Sequence, residues 1–222
     1  MLNGLFAPLA VAPKFLTVLS LGLVFLAAFG ATPVRAASVK TIVCFGDSLT
    51  AGYGLDDPDT EAFPARLQSK VNEAGLSYRV VNAGLSGETT AGGLRRVDWI
   101  LRQPVDVFVL ALGGNDGLRG IDPSVSAANL QAIIDRVRAK NPATKILVAG
   151  MVMPPSMGES YARDFAAMYP AVATKNKTAF VPFLLEGVGG RAELNQADQI
   201  HPTASGQAIL AETIWKVLRP LL

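Results

Sequence analysis

A chain of 222 residues that is 50% hydrophobic and holds one cysteine has the apolar material for a full core and no means of forming an internal disulfide. The formal charge is +2, and both Lys14 and Arg35 fall in the first 36 residues, which contain no acid, so the remainder is formally neutral. That balance offers no basic field or charged tail for nucleic acid, and no nucleic-acid partner is expected.

Lys14 is followed by an apolar block, Phe15 to Ala31, and then by Thr32-Pro33-Val34-Arg35-Ala36-Ala37, a helix-breaking exit of small residues. This is the layout of a signal peptide, with Val34 and Ala36 at the minus-three and minus-one places and cleavage after Ala37 as the near alternative. Residues 1–36 are therefore read as a cleaved signal peptide and 37–222 as one domain, periplasmic or secreted, with no stable membrane span after processing. A retained anchor is the competing reading, because a block of about 17 apolar residues is at the lower limit of a spanning helix; the small residues at the exit favour cleavage.

Thr41 to Phe45 is a continuous apolar, β-branched run of the kind expected from a strand covered on both faces. It breaks into Gly46-Asp47-Ser48-Leu49. Ligands in parallel α/β sheets bind beyond the carboxyl ends of strands, which puts Ser48 at a favoured place for chemistry. The same residues also suit a plain strand-to-helix turn with a capping Asp or Ser. Cys44, inside the run, reads as a small buried hydrophobe.

The spacing of Phe63, Leu67 and Val71 predicts a helix over Ala62 to Ala74, stopped by Gly75. Tyr78 to Asn82 is a second strand, followed by a loop through Gly87 and a helix from Thr89 or Thr90 to about Arg102. Val105 to Leu112 is the third strand and opens into a loop, Gly113-Gly114-Asn115-Asp116-Gly117. Leu130, Ile133, Ile134 and Val137 mark one face of a long amphipathic helix from about Ser124 to Lys140. Lys145 to Met151 is a fourth strand. A helix around Glu159 to Lys175 is expected to be interrupted or reset at Pro170. Ala179 to Phe183 completes the strands, and Ala204 to Leu218 forms a last helix. Alternating strands and helices of these lengths imply parallel pairing and a three-layer α/β/α sandwich.

His201 is the only histidine, and with a single cysteine it cannot supply a usual zinc site. No phosphate-binding loop or dinucleotide fingerprint is present, so no metal or cofactor is expected. What remains is a hydroxyl and an imidazole. Asp198 lies three residues before His201 and can reach back to it, fixing the ring tautomer for a base that takes the proton of Ser48. The backbone N–H groups of Ser48 and Gly87 and the side-chain amide of Asn115 are candidate donors to a developing oxyanion. Singly, each segment also reads as an ordinary turn.

Together, Gly46-Asp47-Ser48-Leu49, the run Asn82 to Thr89, Gly113-Gly114-Asn115-Asp116 and Asp198-x-x-His201 resemble the blocks of the GDSL family of serine hydrolases, the SGNH superfamily. The nearest resemblance is to its bacterial thioesterase I, arylesterase and lysophospholipase group. It implies a flavodoxin-like parallel five-stranded sheet of order 2-1-3-4-5 and hydrolysis of acyl esters and thioesters without metal or cofactor. Ser48, Asp198 and His201 would be catalytic, and Ser48, Gly87 and Asn115 would form the oxyanion hole. Small acyl esters or thioesters, extending to lysophospholipids, are the implied partners of a monomer. The loop from Asp116 to Asp122, with Asp116, Gly117 and Leu118, is expected over the acyl chain. The segment Met151 to Tyr161, with Met153 and Pro154, is expected as a wall, and Ile200 beside His201 as a further contact. A carbohydrate acetyl esterase is an alternative, which the 7% aromatic content makes less suited to stacking sugars. A non-catalytic flavodoxin-like binding module is another.

Overall fold

The protein is described by a computed structural model, which covers residues 39–222. The segment read as a signal peptide, residues 1–36, lies outside the described residues. Five strands form one parallel sheet: β1 (Lys40–Gly46), β2 (Tyr78–Gly84), β3 (Val107–Ala111), β4 (Lys145–Ala149) and β5 (Ala179–Val181), in the order β2-β1-β3-β4-β5. Buried on both faces, the middle strands read as unbroken apolar runs, and Ile42 to Phe45 and Val107 to Leu110 are almost wholly excluded from solvent. A cysteine is accommodated there as a hydrophobe, and burial pushes the Cys44 thiol up in pKa, away from reactivity.

Parallel pairing requires crossovers, which α3 (Phe63–Glu73), α4 (Thr90–Ile100), α6 (Pro123–Lys140) and α7 (Glu159–Asn176) provide. α3 packs with the last helix, α8 (Ala204–Leu218), on one face of the sheet; α4, α6 and α7 pack side by side on the other. The expected stripe Leu130, Ile133, Ile134 and Val137 of α6 is fully buried. The architecture is thus the three-layer sandwich with the 2-1-3-4-5 sheet. Among the described residues no helix is long and apolar enough to cross a membrane.

Three elements differ from the sequence reading. α7 runs through Pro170 without a break; Pro170 sits on the exposed side, where the carbonyl that loses its donor is reachable by water. β5 ends at Val181 because Pro182 has no N–H to extend the ladder; the chain instead closes with Gly150 N–H on the Val181 carbonyl and Leu184 N–H on that of Gly150. The glycine-rich segment after β3 is a short helix, α5 (Gly114–Leu118), entered through Gly113 at φ 118°. Two further short helices, α1 (Ser48–Ala51) and α2 (Pro58–Glu61), follow β1.

Candidate active site

Ser48 opens α1 immediately after β1, and the turn is set by its neighbour. Asp47, 3% exposed, caps α1 by accepting the Leu49 N–H at 3.1 Å. Burial pushes its carboxyl up to about 6, with the Leu49 N–H and the Asn115 amide pulling in the opposite direction. From the far side, Gln207 of α8 donates to the Leu49 carbonyl at 3.1 Å and accepts the Phe63 N–H at 2.9 Å, tying α1 to both neighbouring helices.

His201 arrives on the loop of residues 195–202, closed at its base by an antiparallel bridge between Asn195 and Pro202. Within it Gln199 takes φ 59°, and Asp198 Oδ1 accepts the N–H groups of both Ile200 and His201 at 2.9 Å. The other carboxylate oxygen lies 2.6 Å from His201 Nδ1, and His201 Nε2 lies 2.9 Å from Ser48 Oγ. The backbone N–H of His201, its ring and the Ile200 N–H hold the Asp198 carboxyl down at about 2. Asp198 is therefore an anion at any pH where a base is useful, Nδ1 carries the imidazole proton, and Nε2 is left to accept from the serine hydroxyl. Such a relay can deprotonate a hydroxyl as it attacks a carbonyl.

Of the expected oxyanion donors, Ser48 and Asn115 line one pocket with His201 and Gly87 does not. Among the described residues the backbone N–H groups of Ser48 and Gly87 have no hydrogen-bond acceptor. Asn115 Nδ2 donates to the Glu88 carbonyl at 3.0 Å and, more weakly, to Asp47 Oδ2 at 3.3 Å, and the second of these is the one an oxyanion can displace. Gly87 is exposed at φ 80°, and its carbonyl accepts Arg119 Nη2 at 3.0 Å.

A pocket of about 530 Å³ opens from Ser48 and His201. Leu118, Met153, Pro154 and Ile200 line it, as the sequence reading expects. Asp116 and Gly117 do not. The Asp116 carboxylate is fully buried, accepting the Thr90 N–H at 2.8 Å, the Thr90 hydroxyl at 2.5 Å and the Ser126 hydroxyl at 3.0 Å. Gly117 lies under Met153, whose sulfur would be only 2.3 Å from an added Cβ. Both residues thus build α5 rather than touch the pocket.

Sequence reasoning missed the second wall, made by Phe183, Leu185, Gly189 and Gly190 after β5. It also missed the support beneath the loop after β2. Arg96 donates to the Gly46 carbonyl at 3.1 Å, the Ala83 carbonyl at 2.8 Å and Glu88 Oε2 at 2.5 Å, with its guanidinium 4.1 Å from the Phe45 ring centroid. One side chain thereby fixes the carboxyl ends of β1 and β2. No local pattern announces any of these residues.

Comparison with known proteins agrees with this geometry. Residues 44–209 match the model of the GDSL-like lipase/acylhydrolase family. The chain is 43% identical over 187 residues to esterase TesA of Pseudomonas aeruginosa, covering 84% of this chain and 91% of that one. It is 36% identical over 189 residues to thioesterase 1/protease 1/lysophospholipase L1 of Escherichia coli K12, covering 85% and 88%. The crystal structure of TesA superposes with a TM-score of 0.78 at 43% identity, covering 82% of this chain and all of that one. A parallel sheet of this order, a hydroxyl and imidazole at its carboxyl edge and these likenesses converge: the chain belongs to the GDSL-like lipase/acylhydrolase family and is a carboxylic ester hydrolase.

Proposed function

We propose that the protein is an exported serine esterase that hydrolyses acyl esters and thioesters through an acyl-enzyme on Ser48. The observation that carries this is the unbroken chain Ser48 Oγ to His201 Nε2 (2.9 Å) and His201 Nδ1 to Asp198 (2.6 Å) at the mouth of an apolar pocket. Ser48 Oγ attacks the acyl carbon as its proton passes to Nε2. The oxyanion takes the N–H groups of Ser48 and Gly87 and the amide of Asn115, each such donor being worth about 10²–10³ in rate. The intermediate collapses as the bond from the acyl carbon to the leaving oxygen or sulfur breaks, and Nε2 returns its proton to that atom. Water, deprotonated by the same imidazole, then cleaves the acyl-serine ester and frees the acid and Ser48.

The apolar walls support acyl chains longer than acetyl, and the names of the relatives support thioesters and lysophospholipids among the substrates. The signal-peptide layout supports export, and N-terminal sequencing of the exported protein beginning at Ala37 is the check. The function itself is tested with aryl esters, acyl thioesters and lysophospholipids of graded chain length, run against wild type and Ser48→Ala. Loss of at least about 10⁴ in kcat for Ser48→Ala, with an unchanged circular dichroism spectrum, is expected. Equal rates in the two proteins would defeat the proposal.

A further inference from the structure

Tyr53 is an aromatic side chain beside the site that the acyl chemistry leaves without a task. Its ring centroid is 4.7 Å from that of the His201 imidazole, tilted by 47°, and yet the residue is 54% exposed. Its backbone is held on both sides. Gly52 and Gly54 flank it at φ 80° and 75°, the Tyr53 N–H donates to the Ser48 carbonyl at 3.1 Å, and the Tyr53 carbonyl accepts Gln196 Nε2 at 2.7 Å. Gly54, at a φ that side chains rarely adopt, sets this turn directly against Gln196 of the histidine loop. A large, flat side chain is thus presented to water on an immobilised turn, which lowers the entropy lost when a ligand stacks on it.

Chemistry says which part of the substrate comes here. His201 Nε2 must deliver its proton to the departing atom, so the leaving group lies within hydrogen-bond reach of the imidazole edge. The acyl half occupies the pocket between Met153 and Phe183, and Tyr53 is not part of its lining. The ring packed on the imidazole is therefore the apolar surface that a leaving group meets on its own side of the ester.

Resting on the esterase reading above, we propose that Tyr53 is a leaving-group subsite that stacks on the planar ring of aryl esters and aryl thioesters, selecting them over alkyl esters of equal acyl length. The subsite acts on acylation, which kcat/KM reports, because every ester of one acid passes through the same acyl-enzyme.

The test compares 2-naphthyl butyrate with 2,2,2-trifluoroethyl butyrate in wild type, Tyr53→Phe, Tyr53→Leu and Tyr53→Ala. The kcat/KM ratio of naphthyl to trifluoroethyl ester is expected to fall about tenfold in Tyr53→Leu and Tyr53→Ala, the size of an aromatic pair interaction, and to be retained in Tyr53→Phe. Tyr53→Leu keeps an apolar side chain on the turn should the alanine variant fold poorly. A ratio unchanged in the leucine variant overturns the proposal, because equal losses on both esters mean that the ring only orients His201. Failure of the esterase reading itself looks different: Ser48→Ala would then hydrolyse both esters at the wild-type rate.

Discussion

Asp47 contributes to the site as a buried carboxyl whose pH dependence runs opposite to that of most acids in a folded protein. Burial raises it from 3.8 to about 6, so the folded chain holds its proton more tightly than the unfolded chain. The resulting stability is fully present below about pH 4 and is lost as the pH rises through about 6. Asn keeps an oxygen to cap Leu49 and carries no charge to desolvate. Asp47→Asn, whose amide would face the Asn115 amide donor, is therefore expected to gain on wild type by on the order of 3 kcal/mol between pH 4 and pH 7.5. Urea midpoints at the two pH values check it. Asp198 has the opposite sign: hydrogen bonds from the backbone and ring of His201 lower it to about 2, and its contribution is present above about pH 4 and lost as the pH falls through 2.

The helix α5 shows how an element hides from sequence. Gly113 to Gly117 carries turn residues of low helix propensity, and the loop reading followed from them. Tertiary bonds override that propensity. Successive residues of α5 and its end take hold of the loop after β2: Asn115 on the Glu88 carbonyl, Asp116 on Thr90 and Arg119 on the Gly87 carbonyl. Asp116→Ala would leave the buried Thr90 N–H and Ser126 hydroxyl without this acceptor. It is expected to cost about 2–4 kcal/mol and to lower kcat through a loosened Gly87 loop, measured by denaturation and by steady-state kinetics on one preparation. The segments of Ser48, Gly87, Asn115 and His201 were legible because each stands between a strand and a helix, where turn and cap chemistry narrows the residue types locally. The sandwich was legible from continuous apolar strands and the α6 stripe. Glu88 with Arg96, and Gln196 with Tyr53, were not, since those partners stand 8 and 143 residues apart with no period to connect them. Pro170 misled because its effect depends on which side of α7 faces water.

At the scale of the molecule, the sheet order assembles the site. The chain leaving β1 and β3 brings Ser48 and Asn115, the segment before α8 brings Asp198 and His201, Asn115 and Arg119 hold the loop after β2 against α5, and the segments after β4 and β5 wall the pocket. The wall after β5 is closely packed around its glycine. A Cβ on Gly189 would approach the Phe183 ring to 3.3 Å, and a branched side chain there would extend from that wall. Gly189→Val is expected to shift the preferred acyl chain shorter, with kcat/KM for p-nitrophenyl decanoate falling about tenfold relative to the acetate, because each excluded methylene forfeits about 0.8 kcal/mol. A p-nitrophenyl ester series reads this directly. The central claim, an acyl-enzyme on Ser48 formed with His201 as base, is tested most directly by acid-quenching the enzyme during turnover of an aryl ester and locating the trapped acyl group by peptide mass spectrometry. The acyl mass is expected on the peptide carrying Ser48 and absent from Ser48→Ala and His201→Ala. An adduct on another residue, or full-rate turnover in Ser48→Ala, would contradict it.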